Sequence, residues 1–218
     1  MSLLPIPVQG QRRAVKAHRQ DTSWLGPPPR RLEKMVKGQD LDPFFQSALK
    51  LKSIKRAGWV SKVKVQVAES VADHVFATSA IAMLLSDMVG LDTARVMKMA
   101  VLHDLAESVV GDYMPGDVSA NEKMQQEKKA MDGILAGLPA AIRSDYSDIW
   151  SEYLDNKTDL ARFVHRIDKL EMAMQASAYA TQGYDKELLK PFFNSARAAL
   201  GDSDDIVGQT FARLAKNT

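Results

Sequence analysis

One stretch limits the folds open to this 218-residue chain more than any other: Val101-Leu102-His103-Asp104-Leu105-Ala106-Glu107, closely followed by Gly111-Asp112. It lies in a run, Thr93 to Val110, that reads as a helix, with Val96, Met99, Ala100, Leu102 and Leu105 at helical spacing. His103 and Glu107 are one turn apart and share a face, and Asp104 reaches the same place from the side. A histidine–aspartate pair inside so apolar a run needs partners, because buried polar groups must be satisfied. The chain offers another imidazole upstream, His74, and another carboxylate downstream, Asp168.

The rest of the pattern is helical. Asp42-Pro43 resembles an N-cap and first-turn proline, opening a helix to about Ile54. Ala57-Gly58-Trp59 breaks it, and Val60 to Val67 reads as an extended or irregular link. Ser70 caps a long apolar helix that Gly90 ends, and Asp92 caps the His103 helix, which Gly111 ends. Asn121 to Ala136, Ala140 to Leu154, Asp159 to Thr181, Lys186 to Leu200 and Asp204 to Lys216 read as further helices. The expectation is an all-α, compact helical bundle over residues 39–218, without internal repeats.

Residues 1–38 read differently. Pro5, Pro7 and Pro27-Pro28-Pro29 oppose regular structure. The segment carries eight Lys or Arg against Asp21 and Glu33, a net +6. The whole chain is only +2, so the remainder is −4. The segment reads as an irregular basic N-terminal extension in which His18 is solvated. Its Arg-rich, acid-poor composition leaves organelle targeting open. The mildly acidic body argues against nucleic-acid binding. No apolar run reads as long enough to span a membrane. The chain has no cysteine, which removes disulfides, thiolate metal sites and cysteine nucleophiles and fits a reducing, cytoplasmic location.

His74, His103, Asp104 and Asp168 are the candidate ligands of one divalent metal. Two imidazoles and two carboxylates on facing helices are a recurrent way to build a metal site in a helical core. Mixed N/O ligation suits Mn, Fe, Co, Ni or Zn. The alternative is plainer: satisfied core histidines beside surface carboxylates.

In this pattern the chain resembles the HD-domain metal-dependent phosphohydrolases. The strings Glu69-Ser70-Val71-Ala72-Asp73-His74, His103-Asp104-Leu105-Ala106-Glu107-Ser108-Val109-Val110-Gly111-Asp112 and Asp168-Lys169-Leu170-Glu171-Met172 are similar to its 5′-deoxynucleotidase branch. The likeness runs from about Phe45 to Gly201. It implies an HD-domain helical bundle, a homodimer, and hydrolysis of 2′-deoxyribonucleoside 5′-monophosphates to deoxynucleoside and phosphate. Glu107 and Asp112 are then the catalytic residues: Glu107 orients or deprotonates water or donates to the leaving oxygen, and Asp112 also touches substrate. Alternatively, Glu107 and Asp112 hold a second divalent ion such as Mg.

Lys55-Arg56-Ala57-Gly58-Trp59 matches the branch's basic residue and Gly-Trp. Arg56 is expected to pair with the phosphate, and Trp59 to pack on the sugar or base, with a core anchor as its alternative. In the bacterial enzyme the Arg and Trp are adjacent, whereas here Ala57 and Gly58 separate them. His165 reads as a supporting or surface group, Glu171 as a supporting or structural carboxylate rather than a ligand, and the run Glu122 to Lys129 as a solvated helix face. Two other readings stay open: a different HD phosphohydrolase, acting on a cyclic nucleotide, a nucleoside triphosphate or a signalling nucleotide, and a catalytically silent helical binding module.

Overall fold

The computed structural model describes residues 39–114, 116–201 and 203–216. The readings made for residues 1–38, including His18 and targeting, lie outside the described residues. Residues 38–218 form one unit by their internal contacts.

The described chain is all-α. Helix α1 (Asp42–Lys50) continues as a 3-10 turn, Leu51–Ser53. Then come α2 (Val71–Val89), α3 (Thr93–Leu102), the single turn α4 (Glu107–Val110), α5 (Ala120–Leu135) and α6 (Ala140–Asp155). The 23-residue α7 (Asp159–Thr181), α8 (Lys186–Leu200) and α9 (Ile206–Ala215) complete it. Among the described residues there is no strand, only an isolated antiparallel bridge between Lys55 and Ser70.

Local chemistry sets the helix starts. Ser70 and Asp73 form a capping box at α2, Asp92 caps α3, and Ser119 with Glu122 boxes α5. Thr158 caps α7 and Asp205 caps α9. Each side-chain oxygen satisfies an amide that the first turn leaves without a partner. Asp42 is itself the first helical residue, and Leu41 occupies the cap position.

Two expectations are corrected. The Thr93–Val110 helix is interrupted: α3 stops at Leu102, and His103–Ala106 form turns before α4. The link over residues 60–67 is irregular at 64–67 but helical before that. Trp59–Val63 is a π-helical turn ended by Lys64 in the left-handed conformation (φ 61°). Such turns recur where a chain is bent to present a functional group.

The main core joins Val71, Val75, Ala82 and Leu85 of α2 to Val96, Met99, Ala100 and Leu102 of α3, and to Ile167, Leu170 and Ala173 of α7. Ile149 and Trp150 of α6 close it. A second cluster, Trp59, Val63, Val65, Ala68, Ala176, Tyr179 and Leu189, lies under the loop that carries Arg56. Gly58 lets the loop pack closely there, since a Cβ would come within 2.9 Å of the Phe192 ring that stacks on Trp59 and push it aside. Contrary to the sequence expectation, α2 is long and apolar enough to cross a membrane by length and composition. It nevertheless buries His74, Thr78, Ser79 and Ser86 against α3 and α7, as a core helix of this bundle does.

Candidate metal centre and active site

Three elements converge on one buried point. The capping box at Ser70 fixes the first turn of α2 and with it His74, which is fully buried. The turn after α3 presents His103 and Asp104. The middle of α7 presents Asp168 and, one turn on, Glu171.

The donor atoms face one another. His74 Nε2 lies 3.4 Å from His103 Nε2, 3.2 Å from Asp168 Oδ1 and 3.6 Å from Asp104 Oδ2. His103 Nε2 lies 3.2 Å from Asp104 Oδ2. Donors bound about 2.0–2.1 Å from one ion stand roughly 3.0–3.4 Å apart in octahedral or tetrahedral geometry. His74, His103 and Asp168 therefore bring three donors within reach of a single divalent ion, with Asp104 beside the two histidines.

The outward ring nitrogens support the same reading. His103 Nδ1 is 2.6 Å from the Ala100 carbonyl, which can only accept, so Nδ1 carries a proton and Nε2 is the nitrogen turned to the centre. His74 Nδ1 is 2.6 Å from Glu171 Oε2. Metal-binding histidines are typically oriented by such carbonyl and carboxylate partners. Glu171, read from sequence as a supporting carboxylate rather than a ligand, is the partner of His74.

Charge balance points the same way. Burial and the Arg56 charge would lower the His74 pKa, but hydrogen bonds to Asp168 and Glu171 override them and push it up to about 10. Burial opposes ionisation of Asp168 and Asp104, yet the first is held low by its bond to His74 and the second by His103. The carboxylates demand positive charge at this point, which a proton on His74 supplies and a divalent cation would supply better.

Glu107 is buried beside them, with Oε2 lacking any hydrogen-bond partner. Burial, then repulsion from Asp104 and Asp112, pushes its pKa up to about 10. Arg56 Nη1 lies 3.3 Å from Asp104 and 3.4 Å from Asp112. Asp112 also accepts from the Ala57 amide at 2.6 Å, tying the Arg56 loop to the end of α4. Gly111 makes the turn before it at φ 87°.

Trp59 departs from expectation. It is 2 % exposed, stacks on Phe192 with centroids 4.1 Å apart, and its indole N–H donates to Glu69 Oε1 at 2.7 Å. No face is left for a sugar or base. Trp59 anchors the loop that carries Arg56, and burial outweighed the pattern that suggested a substrate contact.

Other residues at the site carry no distinctive sequence signal. Tyr153 of α6 is buried with its ring edge-on to His103, and His165 stacks on its other side at 3.9 Å. Burial raises the Tyr153 pKa, and Asp168 and Asp104 raise it further. Lys123 and Glu127 of α5, read as solvated, are half-buried within electrostatic reach of Asp104.

A helical bundle that brings His74, a His103-Asp104 pair and Asp168 to one buried point defines the HD-domain class. The HD-domain family model matches residues 48–201, and the chain belongs to that family. It is 39 % identical over 165 residues to the 5′-deoxynucleotidase HDDC2 of Dictyostelium discoideum, covering 71 % of this chain and 86 % of that protein. It is 35 % identical over 153 residues to the human 5′-deoxynucleotidase HDDC2, covering 70 % and 74 %. A conserved hypothetical protein from Pyrococcus furiosus has a similar structure. Its TM-score is 0.62 at 30 % identity, with 82 % of this chain and 98 % of that one covered.

Proposed function

We infer that this protein is a metal-dependent 5′-deoxynucleotidase, hydrolysing 2′-deoxyribonucleoside 5′-monophosphates to deoxynucleoside and phosphate. The observation that carries the reading is the convergence of the His74, His103, Asp104 and Asp168 donors within 3.2–3.6 Å of their neighbours. The names of the relatives supply the substrate class. The mixed N/O set favours Mn, Fe, Co, Ni or Zn over Ca. A divalent ion held there would supply Lewis acidity to the phosphoryl group and to the attacking water.

The chain's own residues do the rest. Arg56 stays charged, because Asp104 and Asp112 raise its pKa against the effect of burial, and it pairs with the phosphate. Asp112 holds the Arg56 loop by the Ala57 amide and meets the substrate beside it. Glu107 is protonated at neutral pH in this arrangement, the form that hands a proton to the leaving 5′ oxygen. A second ion, such as Mg, between Glu107 and Asp112 is the alternative use of the same carboxylates.

The protein works as a homodimer in this reading. An apolar stripe on α2 supports it: Phe76 is 76 % exposed, and Met83, Leu84 and Met88 continue the same face.

A phosphate-release screen with the metal-loaded enzyme tests the function. The expected result is hydrolysis of dAMP, dGMP, dCMP and dTMP, little turnover of the ribonucleotides, and loss of activity with chelator. Preference for a cyclic nucleotide or a triphosphate would move the protein to another branch. No turnover with any divalent ion would leave a silent module.

A further inference from the structure

Along residues 120–129 of α5 every side chain is exposed except two. Lys123 and Glu127, one turn apart, face inward and pair at 3.4 Å, with side chains 37 % and 14 % exposed. The helix that carries them packs on α4, which begins at Glu107. Lys123 acts on the charges of both Glu107 and Asp104, and Glu127 feels Asp104. The pair therefore stands over the carboxylate side of the centre rather than in solvent.

The charge inventory gives this position a use. Asp104, Asp112 and Asp168 carry negative charge beside Glu107, and a phosphate monoester adds up to two more negative charges. Arg56 is already shared between Asp104 and Asp112. Lys169 is paired with Asp168 at 3.0 Å, and Lys123 is a further cation bearing on Glu107. Its ammonium is a mobile point charge on a four-carbon stem, held by one carboxylate and partly open to water.

We propose that Lys123 is a second phosphate-binding residue, held on Glu127 while the site is empty and swinging to the phosphoryl oxygens of the substrate when it enters. The proposal deepens the deoxynucleotidase reading and rests on it only for the nucleoside half of the ligand. Lys123 meets oxygens common to every phosphate monoester, so it sets affinity for the phosphoryl group and not for the base.

Titration of inorganic phosphate into the metal-loaded full chain, followed by calorimetry, tests this without turnover. Lys123→Met and Lys123→Gln should bind phosphate about tenfold to a hundredfold more weakly, as loss of one charge-assisted hydrogen bond implies. Lys123→Arg should retain most of the affinity. The inhibition constant of deoxyadenosine, which lacks the phosphate, should stay unchanged in all three. Unchanged phosphate affinity in the folded Met or Gln variant overturns the proposal, and so does parallel loss of phosphate and deoxyadenosine binding. Failure of the wild type to hydrolyse any deoxynucleotide would overturn the substrate reading instead. The phosphate titration would still decide the role of Lys123.

Discussion

Glu171 Oε2 lies 2.6 Å from His74 Nδ1, while Asp168, one helical turn earlier, lies 3.2 Å from His74 Nε2. One stretch of α7 thus grips both nitrogens of the same imidazole. Asp168 is on the side of the metal centre and Glu171 sets the ring from behind. Removing Glu171 should therefore weaken metal binding without removing a ligand. Glu171→Ala is expected to lower metal affinity by about 10–100-fold, with Glu171→Gln falling between it and wild type. Metal titration against a competing chelator measures it.

The raised His74 and Glu107 pKa values predict the pH response of the metal-free protein. Both groups hold a proton more tightly folded than unfolded, since ordinary values of 6.5 and 4.5 rise to about 10 in each. Their contribution to stability is complete below those ordinary values and is lost as pH climbs toward 10. Asp104 and Asp168 are held low and contribute constantly across that range. The Tm of metal-free protein should fall between pH 6.5 and 10. Metal uptake at pH 7–8 should release protons, visible by calorimetry in buffers of different ionisation enthalpy.

Glu107→Ala should keep the fold and the His74–His103 metal and lose most turnover. A general acid–base group is worth about 10²–10⁴-fold in rate. Phosphate release and metal content, measured on one preparation, separate the two roles. Loss of one of two bound ions would assign Glu107 and Asp112 to a second metal.

Trp59→Ala should act through stability and the Arg56 loop. Emptying a buried aromatic site costs about 3–5 kcal/mol. The loop above it carries Arg56, so activity toward dAMP and AMP should fall alike and the ratio between them should hold. Denaturant unfolding and paired kcat/KM values check both parts.

A chain starting near Gln39 should fold and turn over like the full-length protein. The body begins there: a Cβ on Gly137 would come within 1.7 Å of the Asp40 carbonyl, so residue 40 already packs on the α5–α6 turn. A start after Asp42 should lose stability. Thermal melts of the two truncations distinguish the cases.

Much of this architecture was legible along the chain. Ser70 and Asp92 announced their helices, and the Asp159–Thr181 and Lys186–Leu200 bounds could be read directly, because capping and periodicity act over one or two turns. The π turn at Trp59–Val63 and the break at His103–Ala106 were not legible, since packing imposes both against local preference.

The sequence by itself determined an all-α chain and the residues able to ligate a metal: His74, His103, Asp104 and Asp168. Only the tertiary structure decided what each one meets. It turned both histidine Nε2 atoms inward, joined Glu171 to a ring 97 residues away, sank Trp59 beneath the Arg56 loop and paired a half-buried Lys123 with Glu127. Local pattern says which face of a helix is apolar. Which partner that face meets is set by how distant helices pack, and with it the charge, burial and bonding of every group at the site.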